Sequence, residues 1–469
     1  MGLPILQPGT LPPGISDKDF RDRLKEFLYD THLALREDQR QGVCGGLAAC
    51  RKYSDALDAV IRALHDRARA RFLASAPDLP YRLAVVAVGG YGRRELCPKS
   101  DLDLLFLHHY KVDPYVEAMT ESMLYPLWDL GFEVGHSVRT VKETIRLGGR
   151  DDSIRTALMD HRMVAGDEAF FREAGKELEK FLYYSEGDRY IETKIREMRA
   201  RHARVGATVY LLEPNIKEGR GGLRDIHSAV WAARVKYKVH DLSELRQKGV
   251  VSAQTVGGIR HALDYLLRVR NELHYALGKK ADVLTFEAQE QLAERFRYRK
   301  IGPSHGVERF MRTYYLHAAS AAQLADELLE EVGRFLPEEG GRKSFFFFKR
   351  RAVGAAGILY RGKLQARDQA SFGKEPIRIL EFFRSLQTTR SVLSRQAKKS
   401  IHEALPAIGP AFREDPAAAR LFLEILSDPT HLRETLLAMN ESRFLGRYIP
   451  EFEGLFCRVL RDIYHVYTA

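Results

Sequence analysis

Cysteine is scarce. Cys44, Cys50, Cys97 and Cys457 are spread over 469 residues without a CxxC pair. That excludes a disulfide framework and a zinc cluster as the basis of the fold, and it fits a chain of the reducing cytoplasm. Long apolar runs are also missing. None approaches the ~20 residues needed to cross a bilayer, so no membrane span is expected. The opening MGLPILQPGTLPPG has neither a basic n-region nor a long apolar core, so no secretory signal is expected in it. The chain holds no internal repeat, sustained heptad, P-loop, Rossmann fingerprint or Ser-His-Asp order. What is present is a globular balance of 45% hydrophobic and 29% charged residues, which excludes a mostly disordered chain. Lys plus Arg is 74 and Asp plus Glu is 63, a net charge of +11. That excess calls for an anionic partner without choosing among nucleic acid, nucleotide, acidic protein and membrane surface.

Residues 1–79 read as an irregular Pro- and Gly-rich leader followed by helix over 17–75, with Ser16 or Asp17 as cap and Phe20, Leu24, Phe27 and Leu28 at helical spacing. Residues 80–165 predict a small domain in the order strand, turn, strand, helix, strand. LAVVAVGG (83–90) is a buried strand ending in a glycine turn, DLDLLFL (101–107) a second strand, 114–129 a helix and 132–139 a third strand. Residues 166–336 read as helical, interrupted by the island LEPNIKEGRGGLRDIH (212–227). Residues 337–375 read as a linker, with the run Phe345–Phe348 expected to bury against the body, and 376–469 return to helix. The expected class is α+β, a small mixed sheet in a mainly helical chain.

The chemistry concentrates at VGGYGRRELCPKSDLDL (88–104). In a strand, residues i and i+2 point to one face, about 6.6 Å apart. Asp101 and Asp103 can therefore project into one site while Leu102 and Leu104 pack behind. Two parallel carboxylates repel, and a divalent cation relieves the cost. Mg²⁺ prefers oxygen ligands and shares its shell with substrate phosphates. Gly89, Gly90 and Gly92 let phosphate approach bare backbone. Arg93 and Arg94 stand within reach of such an anion, and Ser100 can donate to phosphate or cap the turn. The implied reaction is nucleotidyl transfer, with metal ions clamping the attacking and leaving oxygens. On the glycine island, Lys217, Arg220 and Arg224 suit a triphosphate, and Asn215 or Asp225 a base or ribose. The alternative is a glycine turn between two helix caps, with Asp225 capping the second. Arg268, Arg270, Asn271, Glu272 and His274 share a helix, where function and structural ion pairing are equally open.

GGYGRRELCPKSDLDLL resembles the nucleotidyltransferase signature of the DNA polymerase β superfamily, and in detail that of the bacterial PII uridylyltransferase family. GFEVGHSVRT (131–140), EPNIKEGRGGLRDIH (213–227), RVRNELHYALGKKADVLTF (268–286), LGRYIPEF (445–452) and YHVYT (464–468) resemble further motifs of that family in the same order. The resemblance implies a polymerase β-like sheet and transfer of UMP from UTP to a tyrosine of the PII signal protein, with release of pyrophosphate. It implies Mg²⁺, in a two-metal site, held by Asp101 and Asp103. It gives 166–336 the role of completing the active cleft, and nucleotide contacts to Gly89, Gly90, Gly92, Arg93, Ser100, Asn215, Lys217, Arg224 and Asp225. The superfamily places a third acid on a neighbouring strand, for which Glu133 and Asp152 are the candidates. Family enzymes continue into an HD hydrolase domain and two ACT domains. Beyond residue 350 this chain has only His402, His431 and His465, so uridylyl-removing activity is expected to be absent. Two rival readings are a nucleotidyltransferase acting on nucleic acid, such as a tRNA-end polymerase, and a regulator that binds nucleotide or PII without catalysis.

Overall fold

A computed structural model describes residues 15–75, 82–206, 208–301, 305–333, 351–354, 357–360, 362–368 and 370–453. The leader 1–14, the run Phe345–Phe348 and the motif at 464–468 lie outside the described residues. The chain forms two compact units, and the described residues fall into them as 15–333 and 351–453.

The first unit begins with α1 (Asp17–Arg40) and α2 (Gly46–Ser75). The Ser16 side chain caps α1 by accepting from the Asp19 amide, and Asp17 and Asp19 place negative charge in its first turn. There follow β1 (Leu83–Ala87), the single turn α3 (Gly89–Gly92), β2 (Leu102–His108), α4 (Pro114–Asp129), β3 (Val134–Thr140), α5 (Val141–Gly148), α6 (Asp152–Leu158) and β4 (Arg162–Gly166). Helices complete the unit: α7 (Glu168–Tyr184), α8 (Gly187–Val205), α9 (Leu223–Tyr237), α10 (Leu242–Gln247), α11 (Ala253–Leu277), α12 (Phe286–Arg295) and α13 (Gly306–Gly333).

The strands form one mixed sheet in the order β3-β2-β1-β4. β1 pairs antiparallel with β2 and β4, while β2 and β3 run parallel with Leu102 opposite Val134 and Asp103 opposite Gly135. Helices cover both faces, which is why LAVVA is apolar at every position rather than alternating. Leu83, Val85, Leu102, Leu104 and Phe106 pack towards α1, α2 and α4, against residues such as Phe20, Leu57 and Met119. Ala84, Val86, Leu105 and Leu107 pack towards α7, α9 and α13, against Phe170, Trp231 and Leu328. Each large side chain buried here stabilises by roughly 1.5–3 kcal/mol. β4 has no counterpart in the sequence reading.

The second unit corrects the linker. Residues 337–375 contain β5 (Arg351–Val353), β6 (Gly357–Tyr360) and β7 (Lys363–Ala366), which with β8 (Val392–Leu393) form a sheet in the order β5-β6-β7-β8. Its core joins Leu364 to Phe382, Phe383, Ile401, Phe444 and Tyr448.

Candidate functional site

β1 ends at Ala87, and the backbone turns through α3. Gly89 adopts φ +58, a left-handed conformation that glycine takes without a steric penalty. As the first residues of a helical turn, Gly89 and Gly90 have no intrahelical acceptors for their amides. The chain returns along 93–101 and enters β2, where the Val88 amide donates to the Asp103 carbonyl at 3.1 Å. This pairing holds the glycine turn against the acidic end of β2.

Asp103 lies between two glycines. A Cβ at Gly89 would stand 3.3 Å from its Oδ2, and one at Gly135 only 2.7 Å from its Oδ1. The surrounding protein, and after it the Asp101 charge, hold the Asp103 carboxyl above the ordinary aspartate range. Asp101 Oδ2 receives the Lys280 ammonium at 2.5 Å, whereas its Oδ1 is buried with no hydrogen-bond donor among the described residues. Partial burial pushes Asp101 upward. The Lys280 contact outweighs burial, the Lys217 charge adds to it, and Asp101 ends below the ordinary range. The parallel register also places Glu133: with Leu102 opposite Val134, the preceding residues Asp101 and Glu133 meet at the strand ends.

The cations come from the glycine island and the segment after α11. The Asn215 Oδ1 accepts from the amides of Lys217 and Glu218 at 3.0 and 2.7 Å, shaping the turn. A bridge joins Asn215 to Val283, and the Ile216 amide donates to the Asp282 carbonyl at 2.7 Å. Lys217 and Lys280 are thereby set on adjoining segments. Lys217 makes no ion pair among the described residues, yet its charge acts on Asp101, Asp103 and Asp282. Burial, then Arg270 and Arg224, lower its own pKa. Arg270 donates to Asp282 Oδ1 at 2.6 Å and to Ser100 Oγ at 3.3 Å, tying the loop before Asp101 to α11. His274 Nδ1 accepts from the Lys99 amide at 3.2 Å, so its Nε2 carries the proton that reaches the Ala281 carbonyl at 3.1 Å. Burial, with Arg270, lowers its pKa to about 4 and keeps it neutral.

The donor set suits a divalent cation. No group of three or more His, Cys, Asp or Glu among the described residues forms a complete metal cage, but Mg²⁺ typically takes one or two carboxylates and completes its shell with phosphate and water. The buried, unpartnered Oδ1 of Asp101 and the raised Asp103 beside it are what such a cation relieves.

Family models match residues 189–329 as the GlnD PII-uridylyltransferase and residues 358–448 as the third domain of uridylyltransferase GlnD. The bifunctional uridylyltransferase/uridylyl-removing enzyme of Caulobacter vibrioides is 36% identical over 462 residues, 96% of this chain and 48% of that protein. The chain belongs to the PII-uridylyltransferase family. The enzymes of the same description from Phenylobacterium zucineum and Azospirillum brasilense are 35% and 37% identical over 459 and 389 residues, covering 95% and 82% of this chain and 48% and 42% of theirs. The chain spans about half the length of the curated relatives it matches.

In this uridylyltransferase-family chain the structure gathers Gly89, Gly90, Asp101, Asp103, Glu133 and Lys217. It places other candidates differently. Asp152 heads α6 and pairs with Arg189 at 3.4 Å, with no described link to Asp101 or Asp103. Asp225 is fully buried: Arg201 and His202 meet its Oδ1 at 2.5 and 2.8 Å, and the Gly221 amide donates to its Oδ2 at 2.8 Å. It organises the island rather than facing a ligand. A Cβ at Gly92 would lie 1.8 Å from the Asp160 carbonyl oxygen, so this glycine serves close packing. Arg93 spends Nε on Glu95 at 2.9 Å and Nη1 on Asp160 at 2.8 Å, while Nη2 lies 3.9 Å from where a Gly90 Cβ would be. Arg224 pairs with Glu218 at 3.4 Å, and Arg94 turns away to Asp55 at 2.6 Å. The sequence reading missed Lys280, Asp282 and Gly135. The only signal for them was their place inside motifs quoted for the family.

Gly135→Ala tests the cradle. A methyl group 2.7 Å from Asp103 Oδ1 must displace that carboxylate, while the exposed strand position tolerates alanine. Transfer is expected to fall by about 10²-fold with an unchanged circular dichroism spectrum and melting curve; unchanged turnover would separate Asp103 from the chemistry.

Proposed function

We propose that this chain transfers UMP from UTP to a tyrosine hydroxyl of a PII signal protein in the cytoplasm, releasing pyrophosphate, in nitrogen regulation. The observation that carries the reading is the neighbouring pair Asp101 and Asp103 at the glycine turn, with one buried oxygen lacking a donor among the described residues. Family membership supplies donor and acceptor. Asp101 and Asp103 would hold Mg²⁺, which when bound supplies positive charge to the phosphates of UTP. Lys217 and Lys280 bind the triphosphate, Lys280 exchanging its contact with Asp101 for one with phosphate. The amides of Gly89 and Gly90 and the Nη2 of Arg93 receive the leaving pyrophosphate, and Ser100, oriented by Arg270, borders it. Glu133, beside Asp101, accepts the proton of the attacking tyrosine hydroxyl. The transfer breaks the bond between the α-phosphorus and the bridging oxygen and forms one from the tyrosine oxygen to that phosphorus.

The deciding experiment is intact-mass spectrometry of a PII protein after incubation with this chain, UTP and Mg²⁺. A gain of one UMP per subunit is expected. No gain on PII, with label from UTP appearing on RNA instead, would replace the acceptor. No pyrophosphate release under any of these conditions would remove the catalytic reading.

A further inference from the structure

Two thiols that play no part in the proposed transfer lie under the loop carrying Asp101. Cys50 sits on α2 and Cys97 in the segment 93–101, both buried, at 1% and 0% exposure. Their sulfurs are 4.0 Å apart, so an approach of about 2 Å would bring them to disulfide bonding distance. Asn271 of α11 fixes Cys50: the thiol donates to Asn271 Oδ1 at 3.5 Å, and Nδ2 donates to the sulfur at 3.4 Å.

The two sulfurs differ electrostatically. Burial opposes ionisation of both, and at Cys50 burial dominates, pushing the thiol well up. At Cys97 the neighbouring Arg270 guanidinium works against burial and favours the thiolate. One sulfur is therefore suited to attack an oxidant and the other to resolve the product. A void of about 10 Å³ touches Cys50, room for about one water-sized molecule. Two of its walls, Pro98 and Tyr275, also line a pocket of about 230 Å³ bordered by the exposed Tyr29 and Leu33.

We propose that Cys50 and Cys97 are a peroxide-responsive pair that closes reversibly to a disulfide and slows the neighbouring site. The Cys97 sulfur attacks hydrogen peroxide, the O–O bond breaks, and one water leaves as Cys97 becomes a sulfenic acid. The Cys50 sulfur displaces the hydroxyl as a second water, forming the S–S bond. Two thiols are oxidised and one peroxide is reduced to two waters. The closure draws the 93–101 loop towards α2. It also takes the Cys97 sulfur from Arg270, which holds both Ser100 and Asp282. The effect on rate rests on the proposed transfer; the disulfide itself does not.

The test treats the full chain with hydrogen peroxide, alkylates free thiols and maps peptides with and without dithiothreitol. The expected product links the Cys50 and Cys97 peptides with loss of two hydrogens, and dithiothreitol reverses it. Full alkylation of both cysteines after treatment, or a link to Cys44 instead, overturns the pair. Pyrophosphate release should fall at least about tenfold on oxidation and recover on reduction, and Cys50→Ser should keep its rate under peroxide. Cys50→Ala serves if the serine variant does not fold. A formed disulfide with an unchanged rate overturns the regulatory half. Inactivity of the reduced chain counts against the proposed transfer alone, because the peptide map still decides the thiol pair.

Discussion

Asp101→Asn is expected to lower the proposed UMP transfer by about 10³-fold or more, since cation-mediated charge stabilisation is worth several kcal/mol and each 1.36 kcal/mol is about tenfold. The fold should survive. The substitution keeps the shape of the side chain, and the lost ion pair with Lys280 is substantially exposed, at 43% and 38%, so it contributes at most about 1 kcal/mol. A second readout does not depend on turnover. Asp103 has a folded-state pKa raised above its ordinary value. Its ionised form therefore costs stability at neutral pH, and the cost disappears as pH falls through the raised value. A cation that offsets this repulsion should raise the melting temperature of the native chain at neutral pH, less so under acid, and not in Asp101→Asn. Near-native turnover in a folded Asp101→Asn protein, or an equal Mg²⁺ shift in both proteins, would refute the assignment of the metal site to this pair.

The acidic half of this site was legible because its determinants are local. An apolar β-branched strand, a double glycine and acids two residues apart are short-range patterns, and the structure keeps the two acids close enough for the Asp101 charge to act on Asp103. The cationic half was not legible. Lys217 and Lys280 meet because Asn215 bridges to Val283, a pairing between distant segments that no hydrophobic period records. The choice between Glu133 and Asp152 turned on strand register, which a sequence leaves open. The pairing of Leu102 with Val134 places Glu133 beside Asp101, while Asp152 goes to Arg189. Asp225 had two readings, ligand contact or helix cap; complete burial against Arg201 and His202 argues against the first, and Gly222, not Asp225, holds the N-cap of α9. β4 and β5–β7 escaped notice for another reason. They are three to five residues long, too short to establish a period.

The largest stability effect is expected at Asp160, a residue to which the sequence draws no attention. It stands between the end of α6 and β4, almost fully buried. Its Oδ2 accepts from Arg93 Nη1 and Trp231 Nε1, each at 2.8 Å, and its Oδ1 from Arg234 Nη1 at 2.6 Å. Burial works against the charge on both arginines; Glu95 and then Asp160 reverse that penalty at Arg93, and Asp160 leads in reversing it at Arg234. In Asp160→Asn the shape remains, but the negative charge goes and an amide NH₂ must face a guanidinium or the indole N–H. Removing one partner from such a buried cluster typically costs roughly 3–5 kcal/mol, because the remaining charges are left uncompensated. The loss should appear as an earlier denaturant transition by circular dichroism and by fluorescence, since Trp231 is itself a partner of the missing charge. Arg93 would also lose one of the two anchors that aim its third nitrogen at Gly90, so the folded fraction should show a raised KM for UTP. An unfolding free energy within about 1 kcal/mol of the native protein would mean that Arg93 and Arg234 are already compensated by Glu95 and solvent, and that the hub does not hold the glycine turn in place.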